Sequence, residues 1–147
     1  MRVTFLLAAL LLGSASAWGV EASSSPVGTW KTIDDNTGEA RGLIQLFLQG
    51  DELQGRIVGS FPQPGVVDPP LCEKCPGERK GKPKIGMIFM WGLKLDGDTW
   101  RDGEILDPDS GDVYSAKVHL IDDGKKLEVR GFIGLPLLGR TQVWERN

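Results

Sequence analysis

The chain has little of what catalysis and metal binding usually draw on. Its 147 residues hold two cysteines, one histidine and one tyrosine. A zinc centre takes about four Cys or His ligands, so Cys72, Cys75 and His119 leave such a site short. A Ser-His-Asp arrangement has only His119 to work with, and His119 falls on the polar face of an alternating segment. Helical periodicity is almost absent, as are internal repeats and low-complexity tracts. Charge of one sign is not concentrated either. Lys and Arg number 17 against 20 Asp and Glu, a formal net charge of −3, which offers no broad basic face for nucleic acid.

Long apolar runs are missing apart from one near the start. "MRVTFLLAALLLGSASA" has Arg2, an apolar run from Phe5 to Leu12, and small residues ending in Ala15-Ser16-Ala17. That is the three-part layout of a secretory signal peptide, and the run is well short of the roughly 20 residues a membrane-crossing helix needs. Cleavage is expected after Ala17 or after Ala22, so that residues 1–22 form the leader. Residues 23–147 then form one domain, exported to the periplasm or secreted, with no transmembrane span in the mature protein. No cysteine follows either cleavage site, which argues against a lipid anchor.

What is present is glycine, 20 residues of it, recurring at turn-like positions between short alternating segments. Residues 27–33, 42–49, 53–59, 99–106, 112–121, 126–134 and 140–146 alternate apolar with polar side chains. Residues 85–98 are apolar on both sides and read as a strand or a short helix. About eight strands at this spacing, joined mostly by hairpin turns, predict an all-β fold: one antiparallel up-and-down barrel, whose closure removes edge strands. Residues 60–84 break the pattern with six prolines, which lack the amide a sheet ladder needs. A loop of this length is usually functional or disordered.

Gly28-Thr29-Trp30 opens the first strand and Trp144-Glu145-Arg146 closes the last. This resembles the Gly-x-Trp opening of lipocalins, in which the tryptophan plugs the barrel floor under a basic residue from the final strand. The resemblance implies Trp30 paired with Arg146, or with Arg140 as second choice. "CEKCPGERKGKPKIGMIFMWGLK", "WRDGEILDPDSGDVY" and "LEVRGFIGLPLLGRTQVWER" together resemble the bacterial exported family called domain of unknown function 2147, from about Val27 to Arg146. That resemblance implies a lipocalin-like barrel and assigns no reaction.

Cys72 and Cys75 form a CxxC. A redox centre of that type opens a helix in a βαβ setting, which this chain lacks. An oxidising compartment favours a structural disulfide. A bridged pair has its Cα atoms about 4.4–6.8 Å apart, whereas three extended residues span about 10 Å. The segment must therefore turn, and the ring it closes is small enough to shape a loop rather than hold a barrel.

Other clusters carry competing readings. Arg79, Lys80, Lys82 and Lys84 form either an anion-binding loop patch or a merely solvated loop. Asp102, Glu104, Asp107, Asp109 and Asp112 invite a calcium reading, but an EF-hand loop from Asp107 requires Glu where Val118 stands. A polar hairpin turn explains them better. Paired acids for glycan cleavage would need Asp102 with Glu104 or Asp107 in one cleft. Trp30, Leu46, Ile57, Met87, Phe89, Trp91, Trp100 and Tyr114 are the expected lining of a cavity, with Gly55 and Gly59 leaving room. The expectation is a non-enzymatic protein without metal or cofactor. It binds a small apolar or amphipathic ligand in the barrel mouth, with an envelope protein contacted through residues 60–84 as the alternative.

Overall fold

Alternation becomes architecture directly. In the computed structural model, which describes residues 24–147, each alternating segment is a strand. They are β1 (Gly28–Ile33), β2 (Ala40–Gln49), β3 (Glu52–Ser60), β4 (Ile88–Asp96), β5 (Thr99–Leu106), β6 (Val113–Ile121), β7 (Lys126–Phe132) and β8 (Gly139–Arg146). The expected leader, residues 1–22, lies outside the described residues. Each strand pairs antiparallel with the next, and β8 pairs with β1, closing an eight-stranded barrel. Period-two burial makes the core: Ile44 and Leu46 are buried around exposed Gln45, and Leu127 and Val129 around Glu128. Residues 85–98, ambiguous in the sequence, provide β4.

The two ends of the barrel are built differently. At one end the turns are short: Gly50-Asp51, Gly97-Asp98 and the single turn Asp122–Gly124. Gly50 and Gly97 sit at φ 64° and 67°, the left-handed geometry that tight hairpins demand. At the other end lie residues 34–39, 61–87, 107–112 and 133–138, all longer.

The short-turn end is sealed. Trp30 is fully buried and its Nε1 donates to the Pro26 carbonyl at 2.8 Å. The Arg146 guanidinium lies 4.2 Å from the Trp30 ring centroid. It also donates to the carbonyls of Gly124, Ser25 and Val27 at 2.7, 2.9 and 3.2 Å. Gly28 explains the first letter of the motif. Its φ is +139°, and a Cβ there would stand 3.0 Å from an Arg146 nitrogen. Arg140, the second choice for this role, is at the opposite end of β8, ion-paired with Asp35.

The seam between β1 and β8 is short. Only Trp30↔Arg146 and Lys31↔Glu145 pair across it. Towards the long-loop end the Arg140–Asp35 ion pair spans the two strands' neighbourhoods instead.

The long loop is itself organised. Cys72 and Cys75 form a disulfide with Cα atoms 5.4 Å apart, and both are buried. The Cys72 amide donates to Lys82 at 2.8 Å, the Gly81 amide donates to Cys72 at 2.9 Å, and Leu71 bridges to Pro83. This small hairpin docks on the β5–β6 turn. Cys72 Sγ lies 3.2 Å from the Pro108 carbonyl oxygen. Gly111, at φ +82°, backs so closely onto the Lys74 carbonyl that no Cβ fits between them.

Candidate functional site

A cavity of about 460 Å³ opens at the long-loop end. Its walls come from inward positions of several strands: Ile44, Ile57, Phe89, Leu106, Val129 and Trp144. Phe89 and Trp144 meet with ring centroids 6.2 Å apart and planes tilted by 31°. Gly59 and Gly131 also face it, and small residues there leave space that a larger side chain would fill. Thr32, Ser60, Tyr114 and Gln142 bring hydroxyl and amide groups to the upper wall.

The rim is charged and largely self-paired. Lys84 donates to Asp68 at 2.7 Å and to Asp109 at 2.8 Å, and it is the buried charged residue of the described structure. Burial pulls its pKa down, the hydrogen bonds it donates to the two carboxylates push it up, and the net shift is upward. Because Asp68 belongs to the long loop and Asp109 to the β5–β6 turn, the ammonium also ties those two segments together. Arg41 meets Asp34 at 3.5 Å. The Asp34 carboxylate is held below its ordinary value chiefly by the Asn36 and Thr37 amides. Arg140 is taken by Asp35.

Of the expected lining, Ile57, Phe89 and Tyr114 border the cavity. Trp30 and Leu46 are fully buried core residues elsewhere in the barrel. Trp100 packs against the core on β5, paired with Val118. Met87 borders a separate groove under the long loop. Trp91 faces outward, where its Nε1 donates to Glu104 at 2.9 Å and its ring carries the Arg79 guanidinium at 4.1 Å. Strict alternation would have put Met87, Phe89 and Trp91 on one face. A bulge breaks it: β3 pairs Arg56 with Ile88 but Gly55 with Met90. The extra residue sends both Phe89 and Met90 inward and turns Trp91 out.

The remaining clusters divide. The cations of residues 78–84 do not form one patch: Lys84 is buried in its ion pairs and Arg79 lies on Trp91, donating to the Ile88 carbonyl at 3.1 Å. Lys80 and Lys82 stay exposed. The acids do not converge. Asp102 sits at φ 63° in a second bulge, with Glu104 exposed beyond it and bonded to Trp91. Asp107 caps its own turn by accepting from the Asp109 amide at 2.9 Å. His119 is on the outer face, 3.9 Å from Glu128. Among the described residues no three His, Cys, Asp or Glu side chains gather as a metal site. Nor is any helix there long and apolar enough to cross a membrane. The apolar wall residues that sequence reasoning missed are Trp144, Ile44, Val129 and Leu106, with Thr32, Ser60 and Gln142 among the polar ones. Ile44 and Val129 share inward faces with Leu46 and Leu127, so the strand pattern carried the signal for them.

A closed eight-stranded up-and-down barrel, sealed at one end by a Gly-x-Trp tryptophan under an arginine and open at the other, defines a lipocalin-like protein. The chain belongs to the family described as "Uncharacterized protein conserved in bacteria" (DUF2147), whose model matches residues 28–146. It is similar in fold to a solved structure, protein HP1028 from the human pathogen Helicobacter pylori, described as belonging to the lipocalin family. The two share 16% identity and a TM-score of 0.70, over 84% of this chain and 83% of that one. No curated protein matches the chain.

Proposed function

We propose that this is an exported, non-enzymatic binding protein that holds a small apolar or amphipathic molecule in the barrel mouth. The observation that carries the reading is the cavity itself. Its volume of about 460 Å³ falls in the range of small-molecule sites, about 300–1,000 Å³. Its wall is apolar and aromatic below and polar above, the order an amphiphile entering tail-first requires. Burial of the tail against Phe89, Trp144, Ile44 and Val129 supplies affinity, and the rim fixes orientation. The docked long loop forms one side of that rim. The Cys72–Cys75 disulfide and the leader-like residues 1–22 support export.

The test is mass spectrometry of the protein purified from its native envelope, first intact and then after organic extraction. A reproducible stoichiometric small molecule, lost on denaturation, is the expected result. Protein that is empty and takes up no amphiphile when offered one would end the reading.

One observation favours a second reading, contact with an envelope protein. The β7–β8 hairpin tip carries Leu135, Leu137 and Leu138 at 67, 86 and 68% exposure. Arg130 braces that tip by donating to the Pro136 and Leu137 carbonyls at 2.8 and 3.3 Å. An apolar, preformed tip at the mouth of the barrel suits docking on a partner. Crosslinking in the intact envelope, read from this tip, tests it.

A further inference from the structure

The charge around the mouth says which polar end the ligand carries. Three cations border the cavity, Arg41, Lys84 and Arg140, and each is already engaged by a carboxylate. Lys84 is held by two, Asp68 and Asp109. Arg41 faces Asp34 and Arg140 faces Asp35. Asp107 is a fourth carboxylate on the lining itself, so acids outnumber bases there. A carboxylate or phosphate arriving at this rim would have to displace an existing partner from Lys84, Arg41 or Arg140, or sit among like charges. The cost is greatest at Lys84, which is buried between its two carboxylates, and smaller at the exposed Arg41 and Arg140. The neutral polar groups on the lining are the hydroxyls of Thr32, Ser60 and Tyr114 and the amide of Gln142. The Thr32 hydroxyl accepts from the Gly42 amide, the Tyr114 hydroxyl donates to Asp112 and the Gln142 oxygen accepts from Trp144 Nε1, and each of these three keeps a further donor or acceptor for a ligand.

We propose that the site selects an amphiphile whose polar end bears no negative charge. A hydroxyl-rich head fits best, and a cationic head is tolerated because the rim has a surplus acid. This inference rests on the reading of the cavity as a ligand site and narrows it. The self-paired rim acts by exclusion as much as by attraction, since an anionic competitor meets repulsion that a neutral one does not. Lys84 then serves to anchor the long loop to the β5–β6 turn, and its ammonium is not the receptor for an acidic head.

The experiment uses displacement of the neutral fluorescent probe N-phenyl-1-naphthylamine from the full mature protein at neutral pH. The competitors share one dodecyl-length tail and differ in head: 1-monolauroylglycerol, dodecyltrimethylammonium and dodecanoate. The expected result is that the first two displace the probe and that dodecanoate is weaker by about tenfold or more, the factor that ~1.4 kcal/mol represents. Dodecanoate binding as tightly as monolauroylglycerol would overturn the inference while leaving the cavity a ligand site. Binding of neither probe nor any competitor would overturn both. A variant sharpens the result: D68N/D109N leaves Lys84 without its carboxylate partners, so the affinity for dodecanoate relative to monolauroylglycerol should rise about tenfold, whatever the change common to both. An unchanged ratio in a folded variant would overturn the proposal. The unsubstituted comparison stands without it, should the variant fail to fold.

Discussion

The two ends of this barrel solve opposite problems with the same strands. The short-turn end is closed by packing. Trp30, Arg146 and Gly28 form one interlocked unit, in which a ring, a guanidinium and a missing Cβ each require the other two. The long-loop end is held by charge and by a covalent clip, around a space that is left unfilled. The sealing contacts therefore gather where the chain is tightest, and the cavity where its turns are longest. The same residue type plays both parts. Arg146 is a structural cation stacked on an aromatic ring, and Arg140, six positions earlier on the same strand, is a rim cation held by an acid.

Substitutions at the two ends should separate these roles. The largest effect is expected from Trp30→Ala, which removes a fully buried aromatic and should destabilise the fold by about 3–5 kcal/mol. Denaturant unfolding reads it, and an unchanged midpoint would contradict the sealing role. Next come two identical changes at opposite ends. Gly28→Ala forces a side chain into a left-handed position against Arg146 and should lower global stability by about 1–3 kcal/mol. Gly111→Ala should instead leave the global midpoint nearly in place and expose residues 61–87 to protease, because its Cβ pushes the loop off the β5–β6 turn. If Gly111→Ala were the more destabilising of the two in global unfolding, the division of labour between the ends would be wrong.

Smaller effects follow. Cys72→Ser opens a ring of only a few residues, so its cost should fall below the ~3 kcal/mol expected for a 15-residue loop. Circular dichroism should still report a folded barrel, and a wholly unfolded product would place the clip in the core framework. Two of the shifted groups belong to the mouth. Asp34 titrates below its ordinary value of 3.8, so its contribution is complete above 3.8 and is lost as pH falls through the depressed value. Lys84 titrates above 10.5, so its contribution is complete below 10.5 and is lost as pH rises through the raised value. Near neutrality neither contribution should change with pH, and the Lys84 anchoring of the long loop should hold. Hydrogen exchange of residues 61–87 measures this, and loop release near neutrality would contradict the Lys84 pairing.

The barrel was legible because a two-residue period is written into every strand but β4, and glycines with Asp or Asn mark the short turns between them. Trp30 and Arg146 were legible through a motif whose physical reason, the packing of Arg146 where a Cβ would stand at Gly28, only the structure displays. The cavity lining was half legible. Ile57, Phe89 and Tyr114 follow from alternation, but Trp91 does not, because a bulge at Phe89-Met90 changes the parity of β4 and no local residue announces it. Asp102 repeats the lesson on β5. The role of Lys84 was hidden for a different reason. Its partners Asp68 and Asp109 lie 16 and 25 positions away, and a lysine among lysines in a proline-rich loop gives no sign of which one is buried.

The short seam between β1 and β8 governs how the molecule must assemble. Every other strand pairing joins neighbours in sequence, so successive hairpins can form early and cheaply. The seam alone needs residues from both termini of the domain, and it rests on two residue pairs. Contact order alone therefore predicts that closure comes late in folding, and until it happens β1 and β8 are open edges that can recruit another chain.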